Sequence, residues 1–183
     1  MKENNLNNDE AFEQCKKAAE QGDASAQNAL GDIFRYGSDV IQKDAAEAIK
    51  WYKKAAEQLY DYALNNLGDC YYYGEGVEQD YVQAAKWYKQ AAERGNEYAP
   101  DNLELLIQKL DNAAAQGDAA AQCNLAKCYD GGWGVEQDDE EAEKWFYIAA
   151  KQGDAEAQYH LGLKLRNKKE NTKHFLRLFE RIS

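Results

Sequence analysis

Proline is nearly absent from this chain of 183 residues, Pro100 being the single example, and no stretch rich in serine and glycine interrupts it. Linkers draw on such compositions, so a single repeat domain over residues 1–183 is expected. Histidine is limited to His160 and His174, and serine to Ser25, Ser38 and Ser183, none of which begins a Ser-x-x-Lys pattern. An activated hydroxyl nucleophile has little to be built from. No apolar run approaches the ~20 residues that span a bilayer, and the start MKENNLNNDEAFEQ lacks the apolar centre of a signal peptide. The expected location is cytoplasmic, although export without a signal peptide would leave no such mark. Positive charge is scarce: 22 Lys and Arg face 33 Asp and Glu, a net charge of −11. Nucleic acid and anionic membrane are not expected as partners, because like charges repel.

Cysteine is sparse too. Cys15, Cys70, Cys123 and Cys128 share no repeated pairing. Cys123 and Cys128 are five positions apart. On a helix they therefore point roughly 140° from each other and cannot chelate one ion. Cys70 and Cys128 stand where other copies of a repeat place Ile33 and Leu106, as small apolar core residues do. No metal and no cofactor is expected.

What is present is repetition. Gly74–Gly95, GEGVEQDYVQAAKWYKQAAERG, returns as GWGVEQDDEEAEKWFYIAAKQG at Gly132–Gly153, and a third version begins at Gly37. Leu30, Leu67, Leu103, Leu125 and Leu161 mark equivalent points, spaced 37, 36, 22 and 36 residues apart. Ala26, Ala63, Ala99, Ala121 and Ala157 precede them by four, and Phe34, Tyr71, Ile107, Tyr129 and Leu165 follow by four. That is one face of a helix, helix A. Helix B carries Ala48, Ala84 and Ala142, then Trp51, Trp87 and Trp145, then Ala55/Ala56, Ala91/Ala92 and Ala149/Ala150. The tryptophans, with Tyr52, Tyr88 and Phe146, read as packing residues.

Helix ends are marked where physics requires them. Asp44, Asp80 and Asp138 open helix B with Glu47, Gln83 and Glu141 three residues later, which predicts a capping box. Gly95, Gly117 and Gly153 can take the left-handed conformation that stops a helix, and Asn96, Asp118 and Asp154 can cap the next one. A lone hairpin cannot bury its apolar face, so hairpins must stack. The expected fold is all-α, a right-handed α-solenoid of antiparallel helix pairs.

The segments AQNALGDIFRYG, ALNNLGDCYYYGEGVEQD and AQCNLAKCYDGGWGVEQD, each followed by an A..W(Y/F)…AA..G segment, resemble Sel-1-like repeats. These are relatives of tetratricopeptide repeats with a longer inter-helix loop, and the resemblance runs from about Asp9 to Leu165. It implies a bacterial scaffold or adaptor that binds protein without catalysis of its own. The divisions are 9–21, an N-terminal capping helix; 22–58, repeat 1; 59–94, repeat 2; 95–116, a shortened repeat 3; 117–152, repeat 4; and 153–183, a partial repeat and C-terminal capping helix.

Three departures carry expectations. The turn QLYD replaces Gln-Gly, so the junction at Leu59–Asp61 is expected to be looser or bent. The third unit lacks fourteen residues including its loop, which predicts a single helix over Glu97–Gln116 in place of two kinked ones. The tail from Lys164 holds seven Lys and Arg against two Glu, with Phe175, Leu176, Leu178, Phe179 and Ile182 at helical spacing. A capping helix is the first reading of that tail, and an amphipathic docking helix the alternative.

Tetratricopeptide-type grooves use the positions two before the marker leucine and two and five after it. The resemblance thus implies Asn28, Asp32 and Arg35; Asn65, Asp69 and Tyr72; and Cys123, Lys127 and Asp130. Asn66 and Asn124 sit where this fold class often places an amide that holds a peptide backbone. Trp133 stands in a loop, where an indole either contacts a partner or packs onto the next loop. With Asp32 and Asp69 where a carboxylate clamp would want Lys or Arg, the expected ligand is a neutral or basic segment with an aromatic anchor.

Two further functional classes stand beside the scaffold. Some cysteine-rich relatives are proposed to bind or hydrolyse β-lactams, but they pair cysteines eight positions apart, and Asp23 stands where Cys15 would need its partner. A self-assembling structural subunit is the other, a monomer or weak association through end caps being expected. The acidic run EQDDEEAE at Glu136–Glu143 reads as a solvated helix start, since it lacks the alternating ligands and central glycine of an EF-hand.

Overall fold

The computed structural model describes the backbone of residues 2–39 and 41–179 and the side chains of residues 10–39 and 41–167. The described residues form helices α1 (Lys2–Glu20), α2 (Ala24–Tyr36), α3 (Ala45–Glu57), α4 (Asp61–Tyr73), α5 (Tyr81–Glu93), α6 (Ala99–Ala115), α7 (Ala119–Gly131), α8 (Asp139–Lys151) and α9 (Ala155–Phe179), and no strand is among them. The chain is an all-α helical repeat protein. It divides into two compact units, Met1–Leu106 and Ile107–Ser183.

In the first unit α2–α3 and α4–α5 are the predicted hairpins, and α1 packs on α2. Leu30 and Trp51 bury themselves against Ala19, with Phe12, Cys15 and Phe34 alongside. A second core joins Ile49, Tyr52, Leu64, Leu67, Cys70 and Ala91, with Trp87 packed against it. In the second unit α7–α8 and α9 enclose Cys123, Ala126, Ala142, Phe146, Ala149 and Ala157, with Trp145 against them. The helix-B tryptophans thus pack between helices, as their spacing predicts.

The forward half of the capping box is present. The carboxylates of Asp44, Asp80 and Asp138 accept from the amides of Glu47, Gln83 and Glu141 at 2.9 Å each. The reciprocal half is not. The Asp44, Asp80 and Asp138 amides donate to the helix-A carbonyls of Phe34, Tyr71 and Tyr129 at 2.7, 2.9 and 3.0 Å. The loop therefore closes back onto helix A. Glu47 and Glu141 are left to pair with Lys50 and Lys144, at 2.6 and 2.7 Å.

The QLYD junction is not looser. Leu59 adopts φ 60°, in the left-handed region where Gly95 sits at 93°. The Tyr60 amide bonds Ala55 O at 3.2 Å, just as the Asn96 amide bonds Ala91 O at 3.0 Å. The turn is kept, and the cost falls on a residue with a Cβ.

The shortened third unit is one uninterrupted helix, α6, which begins at Ala99, two residues later than predicted. Asn96 explains the start, since its side-chain oxygen accepts from the Tyr98 and Ala99 amides at 3.1 and 3.0 Å. Pro100 falls in the first turn, where no amide is needed. Helix α9 also runs on without a break to Phe179, so no turn separates the partial repeat from a capping helix. The predicted apolar face of Phe175, Leu176, Leu178, Phe179 and Ile182 lies outside the residues whose side chains are described, as does His174. Helix α1 begins at Lys2, well before the Asp9 expected.

Candidate functional site

Helix B lays an aromatic ring against helix A where helix A has no side chain. A Cβ on Gly31 would lie 2.5 Å from the Tyr52 ring, and one on Gly68 would lie 2.4 Å from Tyr88. The rings are thereby laid across the helix backbone, and each hydroxyl reaches the next residue. Tyr52 donates to Asp32 at 2.7 Å and Tyr88 to Asp69 at 2.8 Å. Burial first, and then the carboxylate beside it, pushes both phenols above the ordinary tyrosine range. Burial likewise raises Asp32, opposed by the Tyr52 hydrogen bond and Arg35.

The predicted groove residues of the first unit form the separate rungs of a polar ladder. Asn28 donates to Asp32 at 3.3 Å, and Asn66 donates to Asn28 at 3.0 Å and Asp32 at 3.2 Å. Arg35, buried, donates to Glu75 at 2.6 Å and Asp69 at 3.3 Å. Asn65, also buried, accepts from Asn102 at 3.0 Å. The ladder ties α2 to α4 and α4 to the start of α6. Much of its hydrogen-bonding capacity is therefore spent within the protein. Tyr72 lies edge-on to Tyr73 and Tyr81, at centroid distances of 4.8 and 5.6 Å.

What the ladder leaves facing outward is tyrosine. On α4 the positions 62, 66, 69 and 73 fall on one stripe, because three and four residues return to the same helical face. Tyr62 and Tyr73 sit at its ends, 41% and 63% exposed. Tyr36, at the position equivalent to Tyr73, is 67% exposed, and Tyr98, equivalent to Tyr62, is 55% exposed. The sequence reading passed over all four. The signal was their recurrence six after and five before the marker leucines.

In the second unit the equivalent positions behave differently. Lys127 pairs with Glu156, and Asn124 is half-buried. Lys164 pairs with Asp130 and, at 2.8 Å, with Asp139. Trp133 is half-buried. A Cβ on Gly131 would lie 2.3 Å from its indole, so the ring lies over the end of α7. His160 stacks on Phe146, with centroids 5.0 Å apart and planes 7° from parallel. A groove between α8 and α9 is lined by Glu140, Glu143, Lys144, Tyr147, Leu161 and Leu165.

Sequence reasoning also missed the glutamines that lock the A helices. Gln27 and Gln122 are buried and donate to Ala19 O and Ala114 O, both at 3.0 Å, while Gln58 and Gln152 donate to them at 2.8 and 2.7 Å.

The cysteines are free thiols. Burial, with lesser electrostatic contributions, pushes Cys70 up to about 11 and Cys123 up to about 12, away from the thiolate a nucleophile needs. Among the described residues, no group of three or more His, Cys, Asp or Glu is placed to hold a metal ion, and no helix is long and apolar enough to cross a membrane.

The fold is that of an all-α helical-repeat protein. The Sel1 repeat family matches residues 5–23, 24–58, 61–96 and 119–154, and the chain belongs to it. Sel1 repeat proteins are generally protein-interaction scaffolds. Solved structures similar to the chain include a protective antigen present in uropathogenic Escherichia coli strains displaying an SLR fold. It is 35% identical over 86% of this chain and 37% of its own, with a TM-score of 0.48. A Sel1 repeat protein from Oxalobacter formigenes is 35% identical over 82% of this chain and 65% of its own, with a TM-score of 0.49. The chain thus spans less than two thirds of either relative's length. The comparison with curated proteins gave no match.

Proposed function

We propose that the chain is a non-catalytic scaffold or adaptor that holds a partner protein segment on the helix-A face of its first unit. The observation that supports this is the exposed tyrosine at each end of the stripe, Tyr36 and Tyr73 at one end and Tyr62 and Tyr98 at the other. Tyrosine supplies large contact area at low entropic cost, and it is enriched among residues that dominate binding energy. The ladder between them holds the helices rigid, and ligands bound by rigid surfaces lose less entropy. The unit contains 11 Lys and Arg against 20 Asp and Glu, which favours neutral or basic segments over acidic ones.

The test is affinity capture with the intact chain and with a Tyr36→Ala/Tyr73→Ala variant. The reading expects the same partner to be retained by the first and lost by the second, with both folded. A partner retained equally by both contradicts it.

A second reading, association between copies, is favoured by the α8–α9 groove, where Tyr147 and Leu165 are exposed. A mass measurement in solution separates the two: a dimer lost on Leu165→Asp supports self-association, and a monomer at high concentration removes it.

A further inference from the structure

Three tyrosines meet at the N-terminal ends of α4 and α6. The Tyr60 and Tyr62 rings are 5.9 Å apart and tilted by 37°, and Tyr62 meets Tyr98 edge-on at 6.5 Å. The middle ring turns its hydroxyl toward a carboxylate. Tyr62 donates to Glu97 at 3.5 Å, and the Glu97 carboxylate beside Tyr98 also pushes that phenol above its ordinary range. Tyr60 reaches Ser25 at 3.4 Å, and the neighbouring Asp61 accepts from Asn96 at 3.2 Å. Tyr62, Glu97 and Tyr98 are all exposed.

Such an arrangement does not serve the core, because the Tyr62 and Tyr98 rings are open to solvent. Its chemistry is that of a cation seat. Ring faces attract a guanidinium or ammonium through their quadrupole, and the adjacent carboxylate adds a charge partner. The surrounding unit is strongly acidic by composition, which raises the local concentration of cations. An acidic or purely apolar side chain would gain nothing from Glu97.

We propose that Tyr60, Tyr62, Tyr98 and Glu97 form a seat for one cationic side chain, arginine or lysine, of a bound protein segment. This rests on the helix-A reading above and names the chemistry one end of that face selects. The remaining length of such a segment would then run along α4 toward Tyr73. The Tyr62 hydroxyl already turned to Glu97 helps keep its carboxylate in place, so that less ordering is needed when the cation arrives.

The probes are the peptides Ac-Gly-Gly-Arg-Gly-Gly-amide, its lysine counterpart, and its citrulline counterpart, which keeps the shape of arginine without the charge. Each is titrated into the full chain while amide and ring NMR signals are followed. The arginine peptide is expected to shift signals of residues 60–62 and 96–99, with citrulline about tenfold weaker. Glu97→Gln is expected to weaken binding several-fold and to reduce its dependence on salt. Tyr62→Phe/Tyr98→Phe keeps the rings and should keep the shifts at a modestly higher peptide concentration, since the hydroxyl that orders Glu97 is lost, whereas Tyr62→Ala/Tyr98→Ala should abolish them. These side chains are exposed, and an unchanged thermal midpoint verifies that each variant folds. Equal shifts with citrulline and arginine overturn the proposal, as does an unchanged response in the double alanine variant, or no response at millimolar peptide. Because the probes are far shorter than the face, their failure leaves the capture experiment informative, and the reverse also holds.

Discussion

The Tyr52 hydroxyl donates to the Asp32 carboxylate at 2.7 Å, and this bond crosses from helix B to the outer face of helix A. Tyr88 and Asp69 repeat it one unit later at 2.8 Å. The third instance is Phe146, which has no hydroxyl, and there position 127 is lysine. Donor and acceptor are present together or absent together, as expected if a buried hydroxyl must be satisfied.

The first prediction follows. Tyr52→Phe should cost about 1.5–3 kcal/mol, the range for a hydrogen bond to a charged group. Phe146→Tyr should cost about 1–3 kcal/mol by burying an unpaired hydroxyl, and adding Lys127→Asp should recover part of that. Chemical denaturation of the four proteins checks it. A harmless Phe146→Tyr would show that the pairing is incidental.

Glycine gives a second contrast. Gly31→Ala and Gly68→Ala should each destabilise by about 1–3 kcal/mol, because the added methyl meets a buried ring. Gly162 stands at the equivalent position on α9 with nothing within 4 Å of its would-be Cβ. Gly162→Ala should instead stabilise by about 0.5–1 kcal/mol, through helix propensity. Thermal melts of the three variants decide whether space or backbone freedom governs the site.

At the QLYD turn, Leu59 bears a left-handed conformation that costs a non-glycine residue about 1–2 kcal/mol. It is 45% exposed, so little burial is lost with its side chain. Leu59→Gly should therefore raise stability by up to about 1 kcal/mol, after the entropy of glycine is counted. A lower midpoint for the variant would mean that the Leu59 side chain contributes packing that outweighs the strain.

Alkaline pH gives the fourth prediction. Tyr52 and Tyr88 are raised in the folded protein and relax to about 10 on unfolding. The stability they contribute is fully present below pH ~10 and is lost as pH rises above it, because the unfolded chain releases their protons first. Each tyrosine adds up to about 1.4 kcal/mol per pH unit to that loss. Denaturation midpoints between pH 9 and 11.5 should fall more steeply for the intact chain than for Tyr52→Phe/Tyr88→Phe. Parallel curves would contradict the assignment.

The helices were legible because alanine, leucine and aromatic residues return every four positions and because aspartate and glycine stand at the ends. The single helix α6 was legible from fourteen missing residues. The ladder was harder to see. Spacing places Asn28, Asp32, Asn66 and Asp69 on the outer face of helix A, but it does not tell whether a neighbouring repeat reaches them first. Their partners are up to 40 residues away, as with Arg35 and Glu75, and only the stacking of repeats brings them together. The seat of the Trp133 ring was hidden for a related reason: the glycine that receives it, Gly131, is two residues before it and gives no periodic signal.

Hydrogen–deuterium exchange on the chain with and without its captured partner tests the central claim most directly. The account predicts slower exchange on binding in α2, α4 and the first turns of α6, with α3 and α5 unchanged. Protection confined to α3, α5 or α8 would place the partner on helix B and contradict it.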